Sequence, residues 1–327
     1  MPTVSATITL IAVRSRARRI ADANHRRPPA IFAEVFAQLA AEADRTLRRD
    51  GMDMVKLIDS TPIQLGELLD WCTSNGRIRG LKMHVVYEHG RTLPRRIDIT
   101  DANINDVEMG RAISIEKGTT YVFDKAYCHY GWWTQIHNNG AVFLTRKKEN
   151  ARFKVKAKRA LTATKGDGFT ILDDHDVTHT SKSNAGAKLD IPVRLIRLRR
   201  DDSRAVLTLI TNDATRSAVE IGALYKARWQ IELLFRWLKQ NLELSCFLGR
   251  SDNAVRLQIY AAMIAFILLR LATQQHGSKH QPIRFAELIG QKLMTRRPIA
   301  RVDKPPPVNA HIRQPRTNPG QLNLALQ

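Results

Sequence analysis

Cysteine is scarce in this chain. Only Cys72, Cys128 and Cys246 occur in 327 residues, far apart and with no C-x-x-C pair. An odd, dispersed set gives neither a disulfide framework nor a thiolate zinc site, and it fits a reducing compartment. Acidic residues are also few, with 31 Asp and Glu against 52 Lys and Arg, a formal charge of +21. That excess goes beyond what solubility asks for. It predicts a polyanionic partner, with nucleic acid ahead of an anionic membrane surface. Long hydrophobic runs are lacking too. The longest, Ile259 to Leu269, ends at Arg270; it is too short to span a bilayer and, with Val255 and Leu271, predicts a buried core helix. Ile8 to Val13 is followed, not preceded, by Arg14, Arg16, Arg18 and Arg19, the wrong order for a secretory signal. A soluble, cytoplasmic, nucleoid-associated protein without a membrane partner is expected.

At 43% hydrophobic, the chain can bury one large core, or a core plus a smaller domain. From Ile31 the pattern Ile-Phe-x-x-Val-Phe-x-x-Leu-Ala predicts an amphipathic helix. Val55 to Asp59 predicts a short strand ending on a carboxylate, with Ser60-Thr61-Pro62 breaking it. Leu81 to Tyr87 and Leu93 to Ile99 complete a three-strand meander around the turn Glu88-His-Gly90. A helix over 105–115 follows, then a strand from Thr120 that ends on a second carboxylate, Asp124. A helix at Tyr130 to His137 leads to a strand from Ala141 to Thr145. Strands over 189–199 and 205–211, and helices near 252–274 and 283–295, come later. Three strands, helix, strand, helix, strand is the order of a ribonuclease-H-like α/β core. In that order the first and fourth strands are neighbours, so Asp59 and Asp124 would stand about 5 Å apart at adjoining strand ends. Each aspartate alone reads equally as a cap or turn residue, the commoner fate of a lone Asp after a strand.

The densest pattern is Tyr225-Lys-Ala-Arg228-Trp-Gln-Ile-Glu232, extended to Lys239. On one helix, Tyr225, Arg228, Glu232 and Lys239 fall at about 0°, 300°, 340° and 320°, a stripe roughly 60° wide and about 21 Å long. Leu224, Ala227, Ile231, Leu234, Phe235, Leu238 and Leu242 fill the adjoining arc, leaving a separate face to bury. A solvated face with i, i+4 pairs such as Arg228 with Glu232 is the plain alternative. Two strand-end aspartates and a helical glutamate make a hard oxygen set suited to Mg²⁺, with Mn²⁺ as substitute. Two such ions support in-line displacement at phosphorus. Arg228 and Lys239 would hold phosphates on either side, Lys239 about 10 Å further along the helix than Glu232. Between Arg146 and Arg159, Glu149 is the only acid among Arg146, Lys147, Lys148, Arg152, Lys154, Lys156, Lys158 and Arg159. This basic, β-rich stretch would follow a phosphate backbone, although a solvated charge run reads the same way.

Y-x2-R-x3-E-x6-K resembles the signature of DDE transposases of the bacterial insertion-sequence-four (IS4-like) family and is matched in full. Leu57-Ile-Asp59-Ser-Thr61 and Val122-Phe-Asp124-Lys-Ala-Tyr127 resemble its two aspartate segments. Phe143-Leu-Thr-Arg146, Leu209-Ile-Thr-Asn212, Ser251-Asp-Asn-Ala-Val255 and Gln321-Leu-Asn-Leu324 extend the likeness over roughly 20–327. The resemblance implies cleavage at transposon ends and transfer of the freed 3′ hydroxyl into target DNA, with no covalent protein–DNA intermediate and no energy cofactor. It implies Asp59, Asp124 and Glu232 as the metal triad and Tyr225, Arg228 and Lys239 as phosphate contacts. Lys125, Arg146, Lys147 and Lys148 join the expected DNA-binding set. Double-stranded DNA is the expected partner, and a DNA-bound homodimer would hold two ends. Ala126 stands where the family usually has Gly. Ala21-Asp-Ala-Asn24-His-Arg-Arg27 resembles a segment that family members carry after an N-terminal end-binding domain, so a truncated copy is expected.

The expected organisation is an unmatched segment (1–20), a helical remnant (21–50), the first part of the core (51–145), a β-rich basic insertion (146–214), core helices with a helical C-terminal part (215–296), and a Pro-rich tail (297–327). Two other functions remain open here: a non-catalytic DNA-binding remnant that at most inhibits full-length copies, and a structure-selective nuclease on the same fold. His175 and His179 with Asp173, Asp174 and Asp176 resemble a metal cluster, but on a strand the two histidines are about 13 Å apart, which favours structural roles. His129 and His137 read as capping or surface residues, and Trp132 and Trp133 as packing between helix and sheet. One tryptophan could stack on a flipped base, and the sequence does not choose which.

Overall fold

The computed structural model describes residues 22–47, 53–65, 71, 79–180, 188–241, 247, 249, 251–277, 284, 285 and 288. The expected N-terminal segment, the Pro-rich tail and most of the helix expected near 283–295 lie outside them, as do Cys72 and Cys246. The chain divides into two compact units, 1–271 and 272–327; the sheet and the candidate site belong to the first.

After helix α1 (Pro29–Leu47), alternating apolar residues build an antiparallel meander: β1 (Val55–Gln64), β2 (Gly80–Glu88) and β3 (Leu93–Asp101). Gly80 sits at φ +155°, and a Cβ there would lie 2.1 Å from the Ile63 carbonyl oxygen, so the close start of β2 against β1 admits only glycine. A short helix α2 (Asp106–Arg111) leads into β4 (Thr120–Phe123), which pairs parallel with β1. A 3₁₀ turn (Lys125–Tyr127), helix α3 (Tyr130–Asn138) and β5 (Val142–Arg146) follow, with β5 parallel to β4. The expected neighbourhood of the first and fourth strands is therefore present.

Three boundaries differ from expectation. β1 does not stop at Asp59 but runs through Pro62 to Gln64. Beyond Ile58 it has lost β4 as a neighbour and pairs only with β2, so a residue without an N–H is accommodated on the open side. α2 covers one and a half turns and ends at Arg111, well short of residue 115. The helix expected to carry the four-residue stripe is interrupted at Arg228, giving α4 (Ala218–Ala227) and α5 (Trp229–Asn241). Arg228 keeps helical angles (φ −53°, ψ −29°), while Arg228 N–H bonds the Tyr225 carbonyl and Ile231 N–H bonds the Arg228 carbonyl. These i, i+3 bonds tighten the chain locally.

The basic stretch after β5 forms β6 (Phe153–Lys158), β7 (Lys165–Gly166), β8 (Phe169–His179), β9 (Val193–Arg200) and β10 (Val206–Thr211). These strands continue the same sheet: β10 pairs antiparallel with β5, and the order is β3-β2-β1-β4-β5-β10-β9-β8-β6, with β7 on β8. The result is a mixed α/β fold around one ten-stranded sheet.

α3 packs against the sheet at β5 and its neighbours. Trp133 stacks on Phe143 with ring centroids 4.7 Å apart, and Trp132 lies 4.8 Å from Phe123. Ile58, Tyr121, Ile136, Val193 and Ile210 complete this cluster. His129 caps α3, its Nδ1 accepting from the Trp132 N–H at 3.1 Å, so a capping role for His129 and a packing role for both tryptophans are observed. α4 starts in a capping box between Ser217 and Glu220. Gly222 lets α4 sit on β8: a Cβ at that position would fall 2.5 Å from the Phe169 ring. The long helix α6 (Asp252–Gln275) is, among the described residues, the one helix long and apolar enough to cross a membrane by composition. It buries Val255, Ile259, Met263, Phe266 and Ile267, as a core helix does.

Candidate active site

Asp59 points from the middle of β1, one residue past the Ile58–Phe123 pair of the parallel β1–β4 ladder. Asp124 is the residue after Phe123, so the two aspartates hold adjoining positions across two strands about 4.8 Å apart. Asp124 begins the 3₁₀ turn, but its carboxylate makes no capping hydrogen bond, so the side chain is not committed to a cap. Asp59 Oδ1 accepts from the Ser60 N–H at 2.8 Å.

The third carboxylate comes from the first turn of α5. Arg228 Nη1 donates to Asp59 Oδ2 at 2.8 Å, and its Nη2 donates to Glu232 Oε1 at 2.5 Å. One guanidinium thus joins β1 to α5. The i, i+4 pair that could have been a solvated surface contact is part-buried and tied to Asp59 instead. α5 is held in place by Ile231, Leu234 and Leu238, all buried, and by Gln230, whose Oε1 lies 2.9 Å from His89 Nδ1.

Burial pushes the Asp59 carboxyl up to about 6; the nearby Glu232 and Asp124 carboxylates raise it further, while Arg228 and the Ser60 N–H oppose the shift. Burial also pushes the Tyr225 phenol up to about 12, with Asp124 adding to the rise and Arg228 and Arg146 opposing it. The Arg228 guanidinium lies 5.7 Å from the Tyr225 ring centroid, a cation–π distance. Asp59, Asp124, Glu232, Tyr225, Arg228 and Arg146 therefore feel one another's charge in a single region.

Other expected contacts sit differently. Lys239 is exposed in the last turn of α5, and Lys125 is half-buried, 3.8 Å from Glu149. Lys148 is half-buried near Cys128, whose thiol burial raises to about 11 against the pull of that lysine. Lys147 is structural: its Nζ donates to the carbonyls of Lys148, Glu149 and Ala151 at 2.9, 3.4 and 2.8 Å. The acidic cluster of β8 is consumed in ion pairs, Asp174 with the buried Arg194 at 2.5 Å, Asp176 with Arg159 at 2.8 Å, and Asp173 with Arg197 at 3.3 Å. His137 bonds Asn212, whose amide also spans from the Phe143 N–H to the Ala141 carbonyl.

The sequence model of the transposase DDE domain family matches residues 50–268. The chain belongs to the DDE transposase family. A Sinorhizobium fredii protein named as a transposase, y4zB, is 54% identical over 94% of this chain and 86% of its own length. A Geobacillus stearothermophilus protein named as a transposase for insertion sequence element IS5377 is 27% identical over 74% of this chain and 63% of its own length. A Synechocystis protein named as a transposase for element IS4SA is 24% identical, covering 76% and 69% respectively. These relatives place the chain in the IS4-like group. A cryo-EM structure of the piggyBac transposase synaptic complex with hairpin DNA aligns with a TM-score of 0.45 at 9% identity, over 72% of this chain and 51% of that one.

Among the described residues, no three His, Cys, Asp or Glu side chains converge as a ready-made metal cage. The donor chemistry of this DDE transposase nevertheless fits a divalent cation: three carboxylates lie close enough for two of them to raise the third, and a guanidinium already bridges Asp59 and Glu232 as a positive counter-charge. Two residues were not foreseen at the site. Ser60 orients Asp59 through its N–H and donates its hydroxyl to Asp106 at 2.7 Å on the other side of β1. Trp229 is 49% exposed beside Arg228, with the Arg236 guanidinium 5.5 Å from its ring, whereas Trp132, Trp133 and Trp237 are buried. Adjacency to Arg228 in the signature was the only signal for Trp229.

Proposed function

We propose that the protein is a ribonuclease-H-like transposase that cleaves DNA at insertion-sequence ends and joins the freed 3′ hydroxyl to target DNA, with Asp59, Asp124 and Glu232 as its catalytic carboxylates. The observation that carries this reading is the meeting of three distant segments: β1 and β4 set two aspartates side by side, and Arg228 ties the first of them to Glu232. A pair of Mg²⁺ ions, replaceable by Mn²⁺, held by these carboxylates would neutralise the scissile phosphate and acidify the attacking hydroxyl. The residues of the chain do the rest. Asp59 and Asp124 are fixed by the sheet and Glu232 by α5, so the donor set is preorganised on rigid elements.

Arg228 offers a forked donor to a phosphate at the cut, and Lys239 offers a second cation further along α5. Arg146, Lys148 and Lys125 extend the basic track at the ends of β4 and β5, while Lys147 braces the loop that carries Lys148. Trp229 presents an open aromatic face to an unpaired base. Within the first compact unit, β1 to β5, α4 and α5 form the catalytic core, with β6 to β10 widening it towards DNA. DNA-bound homodimers hold the two ends, and the protein works at the nucleoid in the cytoplasm.

The test is to compare Asp59→Ala, Asp124→Ala and Glu232→Ala with the wild type for nicking and strand transfer in Mg²⁺ or Mn²⁺. Each variant is expected to lose at least about 10³-fold in rate while binding DNA with unchanged salt dependence. Activity surviving any one of the three removes that residue from the triad.

A further inference from the structure

We infer that Arg228 is a built-in counter-ion that makes divalent-cation loading and DNA binding depend on each other. The inference rests on the carboxylate–cation reading above and goes beyond it to the control of that site. The guanidinium uses one Nη for Asp59 and the other for Glu232, at 2.8 and 2.5 Å. Both carboxylates are largely shielded from solvent, with 17% and 29% of their side chains exposed, and Arg228 itself is 16% exposed. In so enclosed a place the two acids need a positive neighbour, and Arg228 supplies it. A divalent cation seeking the same oxygens meets a guanidinium already bonded to them. Arg228 occupies one oxygen of each carboxylate, and its positive charge opposes a divalent cation approaching the remaining lone pairs at close range.

The clamp is also incomplete. Arg228 Nε is buried with no hydrogen-bond partner, so the two carboxylates leave part of the guanidinium fork unsatisfied. A phosphate dianion or diester presents two oxygens in the geometry that an Nε–Nη edge prefers. Transfer of Arg228 from the carboxylates to a DNA phosphate therefore satisfies the orphaned donor, and at the same moment it frees Asp59 and Glu232 to accept cations. No covalent step is involved; one set of ion pairs replaces another. Binding of the phosphate backbone and binding of the cation must then favour each other by the same factor, as linkage requires. The consequence is a site that stays closed to cations in the free protein and opens on DNA. Arg228 acts in this as a positioning residue for Asp59 and Glu232.

Mn²⁺ affinity, read from the loss of the free-ion electron paramagnetic resonance signal, tests this directly. Wild type, Arg228→Ala and Arg228→Lys would be titrated alone and with a blunt-ended DNA duplex at low salt. Circular dichroism would establish that each variant is folded. Arg228→Lys keeps a positive charge but cannot bridge two carboxylates through one fork, which guards against loss of the alanine variant. Expected are Mn²⁺ binding roughly tenfold tighter in Arg228→Ala than in the wild type without DNA, and an intermediate value for Arg228→Lys. In the wild type, the duplex should tighten Mn²⁺ and Mn²⁺ should tighten the duplex by matching factors. In Arg228→Ala both gains should shrink to the part that comes from direct attraction between bound cation and phosphate. Tight Mn²⁺ binding by the DNA-free wild type, unchanged in Arg228→Ala, overturns the coupling and leaves the carboxylate site standing. No Mn²⁺ binding by any form of the protein, alone or beyond what the duplex takes up by itself, overturns the carboxylate reading and the coupling with it.

Discussion

Arg228 and Asp59 lie 169 positions apart in sequence, yet Nη1 of the first donates to Oδ2 of the second at 2.8 Å. This contact joins the start of α5, the helix of Glu232, to the strand that carries Asp59. Because both partners are shielded, breaking it from one side leaves an uncompensated charge. Arg228→Ala is expected to destabilise the fold by about 3 kcal/mol, read from the urea midpoint at constant slope. An unchanged midpoint would mean that the pair is solvated and contributes little.

Asp59 sets a pH dependence. Burial holds its folded-state carboxyl at about 6, against 3.8 for the free side chain. Between those values the native state binds more protons than the unfolded chain, so stability falls as pH rises through that window. Relative to the wild type, Asp59→Asn should gain stability from about pH 4 to about pH 6 and hold a constant difference above it. Thermal melts across pH 3.5–8 check this. A wild type that instead gains on Asp59→Asn over that range has an Asp59 stabilised in its charged form.

Gly222 controls the seat of α4, and α4 carries Tyr225. With the Phe169 ring 2.5 Å from where a Cβ would stand, Gly222→Ala must shift either the ring or the helix. A loss of about 1–3 kcal/mol is expected, measurable by denaturant unfolding. Gly222→Ala matching the wild type would show that the ring yields freely.

The basic residues should separate by salt dependence. Lys147 donates to three carbonyls, so Lys147→Met should lower stability and leave the slope of log affinity against log salt almost unchanged. Arg146→Met and Lys148→Met should each reduce that slope by roughly one. Fluorescence anisotropy on a duplex from 50 to 200 mM salt gives both numbers. A slope change at Lys147 equal to that at Lys148 would contradict its structural role.

Much of this arrangement could be read from the chain because its signals are local. Apolar runs at Val55 to Ile58 and Thr120 to Phe123 mark two strands, each leading to an aspartate, and their order predicts that they are neighbours, although β1 continues past Asp59 to Gln64. The Arg228–Glu232 spacing and the buried arc of Ile231, Leu234 and Leu238 are helical whether or not the helix pauses at Arg228. Partner choice is not local. Nothing near Val206 to Thr211 states that this strand pairs with β5 and so extends the core sheet to ten strands. Pro62 reads as a breaker because its tolerance depends on β4 having already ended. Lys147 looks like its neighbours Arg146 and Lys148 until the loop folds and three carbonyls surround its ammonium. The reach of Arg228 to Asp59 is likewise a product of tertiary structure.

The central claim is that Asp59, Asp124 and Glu232 act as one catalytic set. Its most direct test is Mn²⁺-dependent strand transfer of a pre-cut DNA end by the wild type and by Glu232→Gln, which keeps the shape of the side chain and its hydrogen bond to Arg228 but removes the charge. The account predicts joined product with the wild type and none with Glu232→Gln at equal DNA occupancy. Equal joining by both proteins would contradict it.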